Sequence, residues 1–206
     1  MPHLILASAS PRRRELLGML GLAFTVRAAD VDESARPGEP PRDYVLRLAV
    51  EKAAARAEPG ELILAADTVV VLDGDILGKP RDEADARAML GRIAGREHVV
   101  YTGVALSEPD GSGPGRRAAA AATSRVRIAP LTEEEIRWYA ATGEPLDKAG
   151  SYAVQGVGAM FVEEIFGNYT NVVGLPLPLT RQLFAELGYD LRDFQAAVSP
   201  PGPAAP

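Results

Sequence analysis

The sequence predicts an α/β fold, because segments with strand character alternate with segments of helical periodicity along most of its 206 residues. A hydrophobic content of 47% can form a substantial core, in one α/β domain or in two small lobes. The dipeptide Asp73-Gly74 is a strong hairpin turn signal and predicts a pair of antiparallel strands. We therefore expect one compact body that contains both helices and strands.

The first quarter of the chain contains two strand patterns and two helix patterns. Pro11 suits the first turn of a helix, and Gly21 suits the position after its end. On the second helix the apolar stripe of Val45 and Leu48 continues at Lys52, which directs a lysine side chain inward. The predicted segments are strands at 3–7 and 24–28 and helices at 11–20 and 42–57.

The middle of the chain contains two apolar runs separated by Asp67-Thr68. We predict two strands here, at 62–66 and 69–72, so that the Asp67 carboxylate lies at the end of a buried strand. Strand ends in α/β sheets are where ligand crevices form. The hairpin then leads into a third strand at 75–78.

The remaining helices are predicted from their end signals. Asp82 suits an N-cap, and Gly95 suits the residue after the helix. Thr132 and Glu135 form a capping box. The predicted segments are helices at 82–94, 132–143 and 177–187, and paired strands at 99–106 and 124–129 joined by an exposed Gly- and Pro-rich loop.

Composition and charge exclude several classes of site. The chain has no cysteine and only two histidines, so a metal would be held by oxygen atoms. No apolar run is long enough to span a membrane, and the net charge of -6 argues against nucleic acid as a partner. We expect a cytoplasmic protein with a single domain over 1–195 and a disordered Pro- and Ala-rich tail at 196–206.

The common nucleotide-binding motifs are absent. The segment GDILGKP has the wrong spacing for a P-loop and lacks the Ser or Thr after lysine. Gly156-Val157-Gly158 lacks the third glycine of a dinucleotide fingerprint. A phosphate group would therefore have to bind in another way.

The segment ASASPRRREL is the candidate phosphate site. Ser8, Ser10 and three arginines lie at a helix N-terminus, where backbone N–H groups and the helix dipole favour an anion. The alternative is that a serine caps the helix and the arginines are solvated. Because cations at the positive end of a helix cost roughly 0.3–1 kcal/mol each, a bound anion would explain their placement.

Three further residues carry weaker signals. Lys52 is directed inward, but a lysine in such a position often extends its ammonium group to solvent. Asp67 could bind metal or accept a proton, or could be a turn aspartate that bonds its own backbone. Lys79, before Pro80, could bind phosphate or could simply end a strand.

Five segments in this order resemble the Maf family of nucleotide pyrophosphatases. They are LILASASPRRRELL, YVLRLAVEKA, AADTVVVLDGDILGKP, GEPLDKAGSYAVQG and FVEEIFGNYTNVVGLPL. The resemblance extends to about Leu187. It implies a mixed, elongated sheet flanked by helices in two lobes around a cleft, similar to the inosine-triphosphate pyrophosphatases, and a homodimer.

The resemblance also implies roles for individual residues. Asp67 would accept a proton and, with Glu33, bind Mg²⁺ or Mn²⁺, which prefer oxygen donors. Lys52 and Lys79 would balance charge in the transition state. The substrate-binding residues implied by the family are Ser8, Ser10, Arg12, Arg13, Thr68 and Gln155.

The family resemblance predicts the hydrolysis of dTTP and UTP, because Gln155 occupies a position where a sister group that acts on 7-methyl-GTP has an acidic residue. A glutamine amide can pair with the N3–H and a carbonyl of uracil or thymine. The alternatives are a 7-methyl-GTP pyrophosphatase, a regulator of septum formation that binds nucleotides without turnover, and a nucleic-acid-binding module. Few aromatic residues, 6%, disfavour the last.

Overall fold

The computed structural model describes residues 1–55, 57–110 and 115–196. A seven-stranded mixed sheet with the order β2-β1-β3-β5-β6-β7 forms its centre, and β4 pairs with β3. The strands are β1 His3–Leu6, β2 Thr25–Val26, β3 Glu61–Leu72, β4 Asp75–Leu77, β5 Glu97–Glu108, β6 Arg116–Ile128 and β7 Val162–Phe166. The α-helices are α1 Pro11–Met19, α2 Pro41–Ala54, α3 Glu83–Ile93, α4 Glu133–Ala141, α5 Tyr169–Val173 and α6 Leu177–Glu186. The predicted mixed α/β fold is confirmed.

The end signals of the helices are confirmed in detail. The Asp82 side chain accepts a hydrogen bond from the Asp85 N–H and caps α3. Thr132 and Glu135 form both hydrogen bonds of the capping box on α4. The hairpin at Asp73-Gly74 is also present, with positive φ at both residues and β4 antiparallel to β3.

One strand prediction was wrong. The runs at 62–66 and 69–72 form a single strand, β3, and Asp67 and Thr68 lie in its middle, paired with Gly103 and Thr102 of β5. The polar pair does not break the strand, because each side chain finds a partner: Lys52 for Asp67 and Thr102 for Thr68.

Other elements were missed or too short in the prediction. Neither strand β7 nor helix α5, which is only five residues long, was predicted from the sequence. β6 begins at Arg116 rather than at 124, since alanines at 118–122 pair with β5 despite their low strand propensity. Within 24–28 only Thr25 and Val26 form a strand.

The candidate site lies at a gap along one edge of β3, between the two strands that pair with that edge. β1 runs parallel to β3 and pairs with residues 61–64, whereas β4 pairs with residues 70–72. Between these two neighbours the edge of β3 from about Ala65 to Val69 faces the segment that leads from β1 into α1. Asp67 therefore lies beside the carboxyl end of β1, which is where ligands bind in α/β sheets.

The hydrophobic core divides at the same residues. On one face of β3 two clusters lie on either side of Thr68, and on the other face two smaller clusters lie on either side of Asp67. The β3 residues in these clusters are Leu62, Leu64, Ala66, Val70 and Leu72 on the first face and Ile63, Ala65, Val69 and Val71 on the second. Since side chains alternate along a strand, the two polar neighbours point to opposite faces.

Helix α2 packs closely on the second face. A Cβ atom on Gly103 of β5 would lie 2.2 Å from the carbonyl oxygen of Val45, so only glycine permits this approach. Val45, Leu48 and Ala49 are fully buried and Lys52 is 9% exposed, as the helical stripe predicts.

The described residues near both ends of the chain pack in one hydrophobic cluster. Phe194 packs in the cluster that contains Leu4 and Leu6, and the Ala196 N–H donates to the Gly21 carbonyl oxygen. Residues 197–206 of the predicted tail and 111–114 of the predicted loop lie outside the described residues, and the domain boundary at 195 stays a prediction. Among the described helices, none has the length and apolar character needed to cross a membrane.

Candidate active site

A cleft of about 670 Å³ opens at the gap in β3. All ten residues singled out in the sequence line it, namely Ser8, Ser10, Arg12, Arg13, Glu33, Lys52, Asp67, Thr68, Lys79 and Gln155. They come from six separate parts of the chain. The fold therefore brings together residues that the sequence connects only by their order.

Asp67, Lys52 and Glu33 form a charged cluster on the α2 face of the sheet. The Lys52 Nζ atom lies 2.7 Å from Asp67 Oδ1 and 2.6 Å from Glu33 Oε1. Asp67 and Lys52 are buried, whereas the Glu33 side chain is 61% exposed. The Lys52 ammonium group thus binds two carboxylates and does not extend to solvent, as a lysine on such a helix face otherwise can.

The segment that carries Glu33 is held by two residues of α2. The Tyr44 hydroxyl donates to the Glu33 carbonyl oxygen at 2.7 Å, and Arg47 donates to the Ser34 carbonyl oxygen at 3.1 Å. Arg47 also binds both carboxylate oxygens of Glu39. The position of Glu33 is therefore fixed through its backbone, although its side chain is largely exposed.

The protonation of Asp67 is set by opposing effects. Burial raises the pKa of the Asp67 carboxyl, and the nearby charge of Lys52 lowers it, with burial the larger effect. The net result is a pKa above the ordinary aspartate value of 3.8. A carboxylate with a raised pKa is a better proton acceptor than an exposed one.

Arg13 occupies the opposite face of β3. Its guanidinium donates to the carbonyl oxygens of Ala66 and Gly174 at 2.8 Å each, and to the hydroxyl oxygens of Ser8 and Thr68 at 3.0 Å each. Burial lowers the pKa of Arg13, but a guanidinium stays charged at neutral pH. Among the described residues none forms a salt bridge with it. Arg13 therefore contributes positive charge to the cleft while four of its donors hold the surrounding backbone and hydroxyl groups.

The serines of the first loop do not cap α1 with their side chains. Ser10 is the N-cap residue, but its hydroxyl makes no capping hydrogen bond. The Ser8 hydroxyl accepts from the Ser10 N–H at 3.2 Å and from Arg13. The capping alternative for Ser10 is thus wrong, and the helix N-terminus faces the cleft without a side-chain cap.

Arg12 and Lys79 lie nearer the mouth of the cleft. Arg12 forms a salt bridge with Asp147 at 2.9 Å, and Asp147 also binds Lys148 at 2.5 Å. Lys79 is exposed and makes no ion pair with any residue that the structure describes. Both cations line the same cleft as the Asp67 and Glu33 carboxylates.

Sequence reasoning missed Asp147, Lys148 and Tyr44, although each lines the cleft. Asp147 and Lys148 belong to the segment GEPLDKAG, which contributed to the family resemblance but offered no separate chemical signal. A 3-10 turn at Glu144–Asp147 brings them to the rim. Tyr44 precedes Val45 on the buried stripe of α2, and only the fold shows that its hydroxyl reaches the Glu33 segment.

Two carboxylates offer a partial site for a divalent cation. Glu33 and Asp67 both lie within hydrogen-bonding distance of one ammonium nitrogen, so their oxygens converge on a small volume. Within the described ranges no group of three His, Cys, Asp or Glu residues could hold a metal ion. The donor set therefore fits Mg²⁺ or Mn²⁺ only when substrate oxygens and water complete the coordination, which is common for Mg²⁺.

The fold and the cleft define an α/β protein whose cleft is lined by carboxylates and by cationic side chains, among the latter those of Arg12, Arg13, Lys52 and Lys79. The chain belongs to the family of Maf-like proteins, whose sequence profile matches residues 3–187. The match includes all ten cleft residues predicted from the sequence.

Three relatives illustrate the similarity, and each is described as a dTTP/UTP pyrophosphatase. The protein of Anaeromyxobacter dehalogenans is 57% identical over 92% of this chain and 96% of its own length. That of Myxococcus xanthus is 51% identical over 91% and 94%, and that of Symbiobacterium thermophilum is 49% identical over 93% and 97%.

Solved structures show a more remote similarity. A HAM1 protein of Coxiella burnetii is 17% identical with a TM-score of 0.46, over 64% of this chain and 75% of that chain. The Ham1 protein of Staphylococcus aureus is 15% identical with a TM-score of 0.45, over 94% and 93%. Because these similarities are remote, the fold class of this chain is assigned from its own elements and strand order.

Proposed function

We propose that this chain hydrolyses dTTP and UTP to the nucleoside monophosphate and pyrophosphate. The observation that carries the proposal is the cleft itself, where the buried Asp67 carboxylate, with a raised pKa, shares one cavity with Arg13 and Lys79, two cations that form no ion pair with a described residue. The choice of dTTP and UTP as substrates rests on the relatives, which are 49–57% identical to this chain and are described as dTTP/UTP pyrophosphatases.

Asp67 is the proton acceptor in this proposal. A water oxygen attacks the α-phosphorus in line with the bond to the β-phosphate, that P–O bond breaks, and pyrophosphate leaves with the electron pair. Lys52 binds Oδ1 of Asp67, so we assign the proton of the attacking water to Oδ2. Lys52 also keeps the two carboxylates of the cluster from repelling each other.

The cationic side of the cleft binds the triphosphate. Lys79 and Arg12 lie at the more exposed part of the cleft, and the buried Arg13 guanidinium adds a fixed positive charge. The uncapped backbone N–H groups at the start of α1 add further donors. Arg12 must exchange Asp147 for a phosphate oxygen, since it now pairs with that carboxylate.

Mg²⁺ or Mn²⁺ is the proposed cofactor, held by Asp67 and Glu33 together with phosphate oxygens. The bound cation would supply electrostatic stabilisation of the charge on the phosphate groups. Tyr44 and Arg47 hold the Glu33 segment in place for this purpose.

Gln155 is the proposed selector of the base. Its amide offers one acceptor and one donor group, which match the N3–H and a carbonyl of uracil or thymine. Ser8, Ser10 and Thr68 are the other proposed substrate-binding residues, and each lines the cleft. A single domain over 1–195, a cytoplasmic location and a homodimer remain predictions.

The test is a panel of nucleoside triphosphates with magnesium, scored for release of pyrophosphate. We expect the highest specificity constants for dTTP and UTP, and loss of turnover when the metal is removed with a chelator. A preference for 7-methyl-GTP would contradict the proposal and assign the chain to the sister group that acts on that nucleotide. Tight binding of nucleotides without any release of pyrophosphate would favour a regulator.

A further inference from the structure

Glu144 lies outside the set of residues with proposed roles, but its carboxylate makes three hydrogen bonds. Oε1 accepts from the Tyr139 hydroxyl at 2.8 Å and from the Gly158 N–H at 2.9 Å, and Oε2 accepts from the Val157 N–H at 2.9 Å. Two of the three donors are backbone groups that follow Gln155 by two and three residues. The carboxylate thus fixes the chain just after the proposed base selector.

Tyr139 extends this contact to the other side of Gln155. Its hydroxyl oxygen accepts from the Ala153 N–H at 3.0 Å while its O–H donates to Glu144. The Tyr139 ring is fully buried and packs edge-to-face on Phe161 at 5.4 Å between centroids. The buried ring of α4 therefore anchors the carboxylate and both ends of the segment 153–158, which we term the base segment.

The glycines of the base segment are explained by the same contacts. A Cβ atom on Gly156 would lie 2.5 Å from Glu144 Oε2, and one on Gly158 would lie 2.3 Å from the Tyr139 hydroxyl oxygen. Gly156 also has φ +92 and ψ -153, a backbone conformation that is essentially restricted to glycine. The Gly-Val-Gly sequence, which does not match a dinucleotide fingerprint, is the sequence needed for close approach to this pair.

We infer that Glu144 and Tyr139 are positioning residues that set the base preference of the cleft by holding Gln155 between two fixed points. The inference rests on the proposed function and names the residues that enforce its substrate class. The flexible Gln155 side chain can select a base only if its backbone is held in one place, because hydrogen bonds to a base edge require correct geometry. The base segment has no regular strand or long helix to provide that restraint.

The charge state of Glu144 suits this role. Burial alone would raise the pKa of its carboxyl, but hydrogen bonds from Gly158, Val157 and Tyr139 outweigh burial and lower the pKa. The carboxylate is ionised at neutral pH, and hydrogen bonds to an ionised acceptor are stronger than those between neutral groups.

The test compares Glu144→Gln and Tyr139→Phe with the wild type and with the control Glu134→Gln, an exposed carboxylate on α4, the helix that carries Tyr139. In Glu144→Gln an amide NH₂ replaces one acceptor, so at least one backbone N–H loses its partner. In Tyr139→Phe the ring remains, but the Ala153 N–H loses its acceptor. The measurements are kcat and KM for UTP, the ratio of specificity constants for UTP and GTP, the inhibition constant of inorganic tripolyphosphate, and the melting temperature.

We expect the KM for UTP to rise about tenfold and the UTP-to-GTP ratio to fall about tenfold in each variant, with kcat changed by less than about threefold. Tripolyphosphate has no base, so its inhibition constant should stay within about twofold of the wild-type value. Glu134→Gln should match the wild type in every measurement.

Three results would overturn the inference in different ways. If the wild type hydrolyses UTP but both folded variants keep its KM and base ratio, Glu144 and Tyr139 do not position Gln155. If tripolyphosphate inhibition weakens in parallel with UTP binding, the pair supports the whole cleft rather than its base end. If the wild type hydrolyses neither dTTP nor UTP, the proposed function fails, and the inference fails with it.

Discussion

Asp67 and Thr68 are neighbours on β3, yet they lie in different chemical surroundings. Asp67 faces α2 and shares the Lys52 ammonium group with Glu33, so its surroundings are ionic. Thr68 faces the other side, where its hydroxyl accepts from Arg13 and pairs with Thr102 at 2.9 Å. The alternation of a strand thus divides one site into an ionic face, with two carboxylates and an ammonium group, and a second face where hydroxyl and carbonyl groups surround the Arg13 guanidinium. We expect the first face to govern turnover and the second to govern stability.

The largest effect should follow from Asp67→Asn on the ionic face. An amide is not a base and is a poorer metal ligand, so we expect kcat to fall by about 10³-fold while nucleotide binding persists. Pyrophosphate release measures kcat, and an equilibrium binding experiment measures the affinity for the nucleotide. The exposed variant Asp193→Asn serves as the matched control. Turnover near the wild-type rate would remove Asp67 from the mechanism.

The same variant should not lose stability. Because the folded-state pKa of Asp67 is raised, the folded protein favours its protonated form, and this contribution to stability is lost as the pH rises through that pKa. At neutral pH the ionised carboxylate therefore lowers the free energy of unfolding, whereas an asparagine amide carries no charge, its oxygen can still accept from Lys52, and Lys52 keeps Glu33 as its counter-ion. The melting temperature of Asp67→Asn at pH 7 should equal or exceed that of the wild type. A clear decrease would contradict the separation of the two faces.

Lys52→Met should have the next largest effect. Methionine preserves much of the apolar volume but removes the charge between Asp67 and Glu33, so we expect kcat to fall by about 10²-fold. The control is Arg42→Met, an exposed position on the same helix. Unchanged turnover in Lys52→Met would mean that the buried ammonium group has only a packing role.

Thr68→Val tests the second face. Valine is close in shape to threonine but lacks the hydroxyl, so one Arg13 N–H and the Thr102 hydroxyl each lose a partner. We expect the free energy of unfolding to fall by about 1–3 kcal/mol and kcat to fall by less than about tenfold. Thr123→Val, at an exposed position of β6, is the control for the loss of a hydroxyl on a strand. A loss of turnover as large as that of Asp67→Asn would abolish the distinction between the faces.

The smallest effect concerns pH. Because the pKa of Asp67 is raised, the acidic limb of kcat/KM should lie above the ordinary value of 3.8. In Lys52→Met the limb should move to still higher pH, since the Lys52 charge lowers that pKa. In Thr68→Val it should not move. A pH profile of the three proteins gives the comparison directly.

The sequence predicted this site better than it predicted the surrounding sheet. The lysine on the apolar stripe of α2 and the carboxylate between two apolar runs are local patterns, and both residues line the cleft. The sequence could not show that β3 is continuous, because a polar pair within an apolar run resembles a break until its partners are known. Those partners lie 15 and 34 residues away, at Lys52 and Thr102.

The three adjacent arginines show a second limit. In the sequence Arg12, Arg13 and Arg14 are equivalent members of one cluster at a helix N-terminus. In the structure Arg12 lies on the rim, Arg13 is buried against β3 and Arg14 is exposed. Their positions follow from the helical rotation of 100° per residue and from the orientation of α1 on the sheet, which the sequence alone does not provide. The hydrogen bonds of Glu144 to residues 157 and 158 depend on tertiary structure in the same way.

The close contact of α2 with β5 affects how a mutational scan of this protein should be interpreted. Any side chain at Gly103 must push the backbone of α2 outward, since its Cβ would overlap the Val45 carbonyl oxygen. The helix carries Lys52 toward Asp67, so this outward shift lengthens that ion pair. A scan that scores only activity would thus rank Gly103 with the residues that touch the substrate, although its place is beneath the helix that positions one of them.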